Sequence, residues 1–285
     1  MNIAVVYLSW IPYGSKYLDD FLENYCNTAA RCAHRLVIVL NGTKFCSKDE
    51  IMLFKKIISS KAIEHCQVLE FESGQDIEVY KKAANQIDAD YFLFLNTYSQ
   101  IRTAGWLSFY TMNWQLKVGL IGATASFASY LSAIREKLLF DWKSKVGLAT
   151  KMNSLKYYLK IKFLYGSKFK KFPAPHIRTN GFFISKNLFC SLSSMVVSNK
   201  MNAYFFENGK NSMTEQVLKQ GYECLLIDNK GTSYSIEEWP LSKTFWIAEQ
   251  ENLLISDNQT RKYDIAEPNE KALLKKIAWN IKNSL

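Results

Sequence analysis

Residues 76–110 read DIEVYKKAANQIDADYFLFLNTYSQIRTAGWLSFY, and the middle of that stretch decides the fold. Asp76 to Ile87 reads as a helix, and Tyr91–Leu95 (YFLFL) as an unbroken apolar run that stops at Asn96. So short and so apolar a run predicts a strand buried on both faces, as in a parallel sheet covered by helices. Working back towards the N-terminus, the same alternation repeats. Ile3–Ser9 (IAVVYLS) is a strand ended by Pro12 and Gly14, and Tyr17–Cys26 a helix with residues 17, 21, 22 and 25 on one stripe. Arg35–Leu40 is a strand running into the Asn41-Gly42 turn, Asp49–Ser59 a helix and Cys66–Phe71 a strand. Four strands alternating with helices predict an α/β fold: a mostly parallel, Rossmann-like twisted sheet with right-handed crossovers.

Beyond Pro173 and Pro175, HIRTNGFFISKNLF reads as a strand framed by polar groups and followed by a helix, and FFENGK as a loop. Ser212–Gln220 is a helix, with Ser212 and Glu215 as its capping box and Gly221 as its stop. Cys224–Ile227 is a strand, and Pro268–Ile281 an amphipathic C-terminal helix. With no internal repeat and no linker, the chain reads as one compact domain in three stretches. These are 1–134, a ligand-binding half; 135–172, a basic helical insertion; and 173–285, a second half ending in the C-terminal helix.

The chain has 285 residues, 48% of them apolar, so a sizeable core is expected and general disorder is excluded. Its 36 basic and 26 acidic residues leave a net charge of +10. That excess is local: Arg135 to Lys171 holds eleven Lys and Arg against Glu136 and Asp141. Charge spread throughout would suggest nucleic acid; one basic segment suggests a single anionic surface. Apolar residues 138, 139, 142 and 146, then 155, 158, 159 and 163, recur there at helical spacing, and aromatic residues lie among the lysines. A basic amphipathic helix or helix pair resting on an anionic membrane over residues 135–171 fits, as does a solvated face folded over the core. A nucleic-acid-binding protein is the weaker alternative, since helix-turn-helix, zinc-finger and RNP patterns are absent and no nucleic-acid partner is expected. The six cysteines have no CxxC pairing and read as reduced thiols of a cytosolic protein, mostly packed as small hydrophobes. The N-terminus does not resemble a signal peptide, and no stretch reaches the length of a transmembrane span.

In a parallel α/β sheet, ligands gather at the carboxyl ends of the strands. Those ends offer Ser9-Trp10, Asn41-Gly42, Glu72–Asp76 and Asn96–Gln100, with Asn41, Asp76 and Asn96 as polar groups that also suit turns. Neither GxGxxG nor GxxxxGK[ST] occurs.

The order of these segments resembles the GT-A glycosyltransferases, in particular the inverting family 2-like enzymes of bacterial surface polysaccharide clusters. The resemblance is carried by Asp90–Leu95, Asn96, Ile101 and Gly105-Trp106-Leu107, and by PHIRTNGFFI, FFENGKNSMTEQVLKQGY and WPLSKTFWIAEQENLLISDNQTRKY. It implies transfer of a sugar from a nucleotide-sugar donor to a glycan or lipid-linked acceptor in lipopolysaccharide or capsule synthesis. The setting would be the cytoplasm, peripheral on the inner face of the membrane. Ser9, Asn41, Asp76, Asn96, Tyr98 and Arg178 are then expected at the donor, and Asn180, Asp257 and Arg261 at the acceptor or phosphate. Glu207 matches the acidic residue that takes the acceptor's proton; a carboxylate favouring a helix N-terminus is its other reading. His176 lies with Arg178 in a Pro-framed loop before a strand and reads as a catalytic participant, as half of a phosphate-clamping cation pair, or as a hydrogen-bonded structural residue.

One departure bears on the chemistry. The family's metal-binding aspartate position holds Asn96-Thr97-Tyr98-Ser99, and no D-x-D occurs. An amide and a phenol lack the anionic oxygen that Mg2+ or Mn2+ prefers, so no metal site is assigned. Charge on a departing diphosphate would fall to His176, Arg178, Arg261 and Lys262. The alternative is a catalytically silent binding protein of the same fold.

Overall fold

The computed structural model describes residues 1–193 and 200–281. The first half builds β1 (Ile3–Trp10), α1 (Lys16–Asn27), β2 (Arg35–Asn41), α2 (Lys48–Ser60), β3 (Gln67–Phe71), α3 (Asp76–Gln86) and β4 (Tyr91–Leu95). A short β5 (Gln100–Ile101), α4 (Trp106–Met112), β6 (Val118–Gly122) and β7 (Ala125–Ser126) follow. Two helices come next, α5 (Tyr130–Lys143) and α6 (Leu148–Tyr165), then β8 (His176–Ile177), β9 (Phe182–Ser185), α7 (Lys186–Ser191) and α8 (Lys200–Asn208). The chain continues through α9 (Met213–Lys219), β10 (Glu223–Ile227), β11 (Ser233–Tyr234), β12 (Ile255–Ser256), α10 (Asn258–Asp264) and α11 (Pro268–Trp279).

Eight strands form one sheet in the order β11-β10-β6-β9-β4-β1-β2-β3. β3, β2, β1 and β4 are parallel as expected, and β10 is parallel to β6. β9 runs antiparallel between β4 and β6, pairing Phe94 with Phe182 and Tyr91 with Ser185. The sheet is therefore mixed but mostly parallel, with helices on both faces. The strand period of two sorts its residues. Ala4, Val6, Leu8, Phe92 and Phe94 pack with Tyr80, Ala83 and Ala84 of α3; Val5, Tyr7, Leu93 and Leu95 pack with Leu18, Phe21 and Leu22 of α1 and Trp106 of α4. Burying each such large side chain contributes about 1.5–3 kcal/mol. Trp106 and Trp239 are both fully buried, so neither offers a sugar-stacking face.

Several local expectations are corrected. Phe205–Asn208 is the last turn of α8 rather than a loop. The 257–261 segment is a helix start: Asp257 caps α10, and its carboxylate accepts the backbone N–H groups of Gln259 and Thr260. The C-terminal helix stops at Trp279, because Asn280 takes the left-handed conformation (φ 55°). The apolar residues of α5 and α6 are not gathered on one inward face: Leu138 and Ile161 are buried, while Leu159 is 51% and Phe163 90% exposed. Cys224 alone among the six cysteines is buried, and Cys26 and Cys190 are exposed. Cys32, Cys46 and Cys66 are half-buried against the core, so packing as small hydrophobes describes four of the six thiols; all six are free.

Candidate functional site

β9 governs the site. Because it opposes β4, its N-terminal end lies beside the carboxyl end of β4, and the preceding residues 176–180 arrive where β1, β2 and β4 all stop. Two halves of the sequence thus meet over one sheet edge.

At β4, residues 96–99 form a tightly bonded loop. Asn96 Oδ1 accepts from the backbone N–H of Tyr98 (2.9 Å) and the Ser99 hydroxyl (3.3 Å). Asn180 Oδ1 accepts from Asn96 N–H (2.9 Å) and the Ser99 hydroxyl (2.6 Å). The Thr97 hydroxyl donates to Leu8 O (2.9 Å) and accepts from Trp10 N–H (3.0 Å), pinning the loop to β1. Asn96 therefore spends its carbonyl on its own loop. Neither that amide nor the Tyr98 phenol suits a hard cation, and among the described residues no three His, Cys, Asp or Glu side chains gather at metal-binding spacing.

Three side chains converge opposite. The Thr179 hydroxyl donates to Glu207 Oε2 (2.6 Å). His176 Nε2 stands 3.9 Å from Glu207 Oε1, beyond hydrogen-bond length, while its Nδ1 is 3.0 Å from Ala174 O. With Nδ1–H donating to that carbonyl, Nε2 is left as a bare acceptor facing the carboxylate. Burial lowers the His176 pKa, and the Glu207 charge only partly opposes this. His176 is therefore neutral at pH 7, which corrects the expectation of a phosphate-clamping cation.

Asp76, the first residue of α3, belongs to the same region. Its side chain touches solvent, yet the crowding of protein around it, with the Glu207 charge as second cause, raises its pKa from 3.8 to about 6. The Glu207 charge thus favours the protonated form of Asp76 at this edge.

The other expected residues divide by accessibility. Ser9, Asn41, Asn180 and Asp257 are buried, at 1%, 0%, 3% and 0% exposure, so none presents a face to a ligand. Asn41 Nδ2 donates to Gly74 O (2.9 Å) and holds the loop that delivers Asp76. Arg178 donates to Asp257 Oδ2 (2.8 Å) and Thr124 Oγ1 (3.3 Å), and its guanidinium lies 4.4 Å from the Phe245 ring centre. Arg261 gives its fork to Tyr98 O (3.0 Å) and Gln100 Oε1 (3.3 Å), and Lys262 pairs with Glu270 (3.1 Å). The cations expected to meet a diphosphate are already engaged within the fold.

An aromatic wall was not anticipated. Trp10, Tyr13, Phe45, Tyr17 and Tyr98 leave the ends of β1, β2 and β4 or flank them, with ring centres 5.1–6.5 Å apart in successive pairs. Tyr13 is 54% and Phe45 60% exposed, so the wall faces outward. Tyr17, Tyr98 and Arg261 also line a small cavity of about 170 Å³. The signal lay in the sequence as aromatic residues just after strand ends, but Tyr13 and Phe45 stand far apart along the chain.

No family model matches the chain, and no curated protein does. Solved structures similar to it include the mannosyltransferase PcManGT from Pyrobaculum calidifontis, in complex with GDP-Man and Mn2+. That match has 8% identity, covers 78% of this chain and 53% of the other, and has a TM-score of 0.49. Core-mannan synthase A from Aspergillus fumigatus, in its Mn/GDP form, is 8% identical over 78% of this chain and 70% of its own, with a TM-score of 0.41. S. aureus TarS 1–349 with UDP-GlcNAc is 14% identical over 43% of this chain and 34% of its own, with a TM-score of 0.31. The chain spans about half the length of the mannosyltransferase. Identities of 8 and 14% carry no residue roles across to this chain.

Proposed function

We propose that the protein is an inverting glycosyltransferase of the GT-A type that takes its sugar from a nucleotide-sugar donor without a bridging metal. The observation that carries this reading is the meeting of Glu207, Thr179, His176 and Asp76 beside the ends of β1 and β4. Thr179 holds Oε2 of Glu207, and Oε1 is the oxygen proposed to act. That oxygen accepts the proton of the acceptor hydroxyl while the hydroxyl oxygen attacks the anomeric carbon from the face opposite the diphosphate, which departs with the bonding electrons. His176, neutral and 3.9 Å from that oxygen, is proposed to shape its surroundings rather than to take the proton from it directly. The aromatic wall from Trp10 to Tyr98 offers stacking faces for the donor's base or sugar. Donor hydrolysis and transfer test the reading: Glu207→Gln is expected to lower the rate about 10²–10⁴-fold while leaving nucleotide binding intact. Full activity in that variant would remove Glu207 from the mechanism.

The acceptor is proposed to be glycan or lipid-linked, reached at an anionic membrane face in surface polysaccharide synthesis. Leu148, Met152, Leu159 and Phe163 fall within about 60° of one another on α6 at ~100° per residue. They are 71%, 39%, 51% and 90% exposed, and Lys151, Lys156, Lys160 and Lys162 flank them. An outward apolar stripe between lysines suits adsorption at an anionic lipid interface. No helix among the described residues is long and apolar enough to cross a membrane.

A second reading, a catalytically silent binder of nucleotide or glycan, is favoured by one observation: Arg178, Arg261 and Lys262 are all engaged internally, which leaves a departing diphosphate without these partners. Nucleoside diphosphates would then raise the melting temperature while wild type and Glu207→Gln alike showed no turnover.

A further inference from the structure

A second space lies on another part of the molecule. A cavity of about 790 Å³ opens between α5, α6, the 166–172 segment and α11. Arg135, Lys162, Lys170, Lys171, Lys210 and Lys276 line it, against the single carboxylate of Glu136. Glu136 takes Lys276 at 2.6 Å and lies 3.7 Å from Arg135, and Lys170 pairs with Glu215. Lys162, Lys171 and Lys210 have no carboxylate partner within ion-pair distance among the described residues. Cations brought together in this way repel one another, and an anion that entered would relieve the repulsion.

The rest of the wall is largely apolar, with Ser132 and Asn280 as its uncharged polar residues. Phe169 is buried, and Tyr158, Phe172 and Ile277 complete an apolar lining. The volume falls within the ~300–1,000 Å³ of small-molecule sites and far exceeds one phosphate. We infer that this cavity is a binding site for a phosphate-bearing ligand that carries an apolar portion, its phosphates held by Lys162, Lys171 and Lys210 and its apolar part by Tyr158, Phe169 and Phe172. Lys210 follows Glu207 by three residues, and the backbone N–H of Tyr130 at the start of α5 donates to Asn208 Oδ1 (2.9 Å). The end of α8 thus joins this cavity to the carboxylate site. Binding here needs no donor and no proton transfer, so the inference stands or falls apart from the role of Glu207.

Calorimetric titration of the full chain tests it, with inorganic pyrophosphate and short-chain dioctanoyl phosphatidic acid as probes. The triple variant Lys162→Gln, Lys171→Gln, Lys210→Gln is expected to weaken both probes about tenfold or more, since charge-assisted phosphate contacts are lost. A control triple, Lys48→Gln, Lys56→Gln, Lys117→Gln, removes the same charge from exposed positions outside both the cavity lining and α6 and is expected to change binding by less than about threefold. Melting curves establish that both variants are folded. Equal losses in the two triples, or no binding of either probe by wild type, would overturn the inference. Tighter binding of phosphatidic acid than of pyrophosphate identifies a lipid phosphate as the source; the reverse order identifies a soluble one.

Discussion

Replacing Asp257 by alanine should cost the fold more than any single change in the open part of the site. Asp257 Oδ1 caps α10 through the N–H groups of Gln259 (3.0 Å) and Thr260 (2.9 Å), and loss of such a cap costs about 1 kcal/mol. Its Oδ2 holds Arg178 at 2.8 Å, with side-chain exposures of 1% for Asp257 and 11% for Arg178. Removing one partner of a buried pair costs about 3–5 kcal/mol, because the other charge stays desolvated. The total is about 4–6 kcal/mol, or roughly 10 °C in melting temperature for a chain of this size. Asp257→Asn keeps an acceptor at the cap and should lose less. The decisive measurement is a urea-unfolding cycle with Arg178→Met, which leaves an apolar chain against Phe245. The double variant Arg178→Met, Asp257→Ala should be more stable than Asp257→Ala alone by about 2 kcal/mol, since the stranded charge has gone. Strict additivity of the two single changes would refute the account and return both residues to the list of groups free to meet a ligand.

Other outcomes follow from the same geometry. Asp76, with its pKa raised to about 6, holds its proton more tightly folded than unfolded, so its contribution to stability is full below about pH 4 and is lost as pH rises through 6. Asp76→Asn should therefore stabilise the protein at pH 7.5 by about 1 kcal/mol, after allowance for solvent screening of an exposed side chain, and the gain should vanish at pH 4 in paired thermal melts. Tyr13→Ala is expected to weaken nucleoside diphosphate binding about fivefold with an unchanged melting temperature, a stacking face having been lost from an exposed site. Leu148→Ser with Phe163→Ser should cut partitioning onto anionic vesicles about tenfold or more, read by co-sedimentation; unchanged partitioning would remove α6 as the contact. Maleimide should label Cys26 and Cys190 quickly and Cys224 only on unfolding, because burial raises the Cys224 pKa.

The parallel half of the sheet was legible because IAVVYLS, RLVIVL and YFLFL are continuous apolar runs whose ends carry turn residues. The direction of β9 was not, since FFIS is equally apolar in either orientation and its neighbours come from opposite ends of the sequence. α8 was hidden by KMNAYFFEN, which mixes polar and aromatic residues without a clear stripe. The start of α10 carries a signal in Asp257 and Thr260, three residues apart, the spacing of a capping box. Glu207 is given by the family resemblance and lies near His176 in the fold; residue type and strand-end position mark Asp76. They could not tell which side chains turn inward: Ser9, Asn41, Asn180 and Asp257 have ligand-like chemistry yet serve the framework. Nor could they disclose that Arg178 and Asp257, 79 residues apart, neutralise each other.

The two-sided character of α6 carries a practical consequence. With Phe163 and Leu148 turned outward, the molecule in plain aqueous buffer should be sticky. It should elute early or broadly on gel filtration, recover its monomer volume in mild detergent, and self-associate more as added salt screens the lysines that keep copies apart.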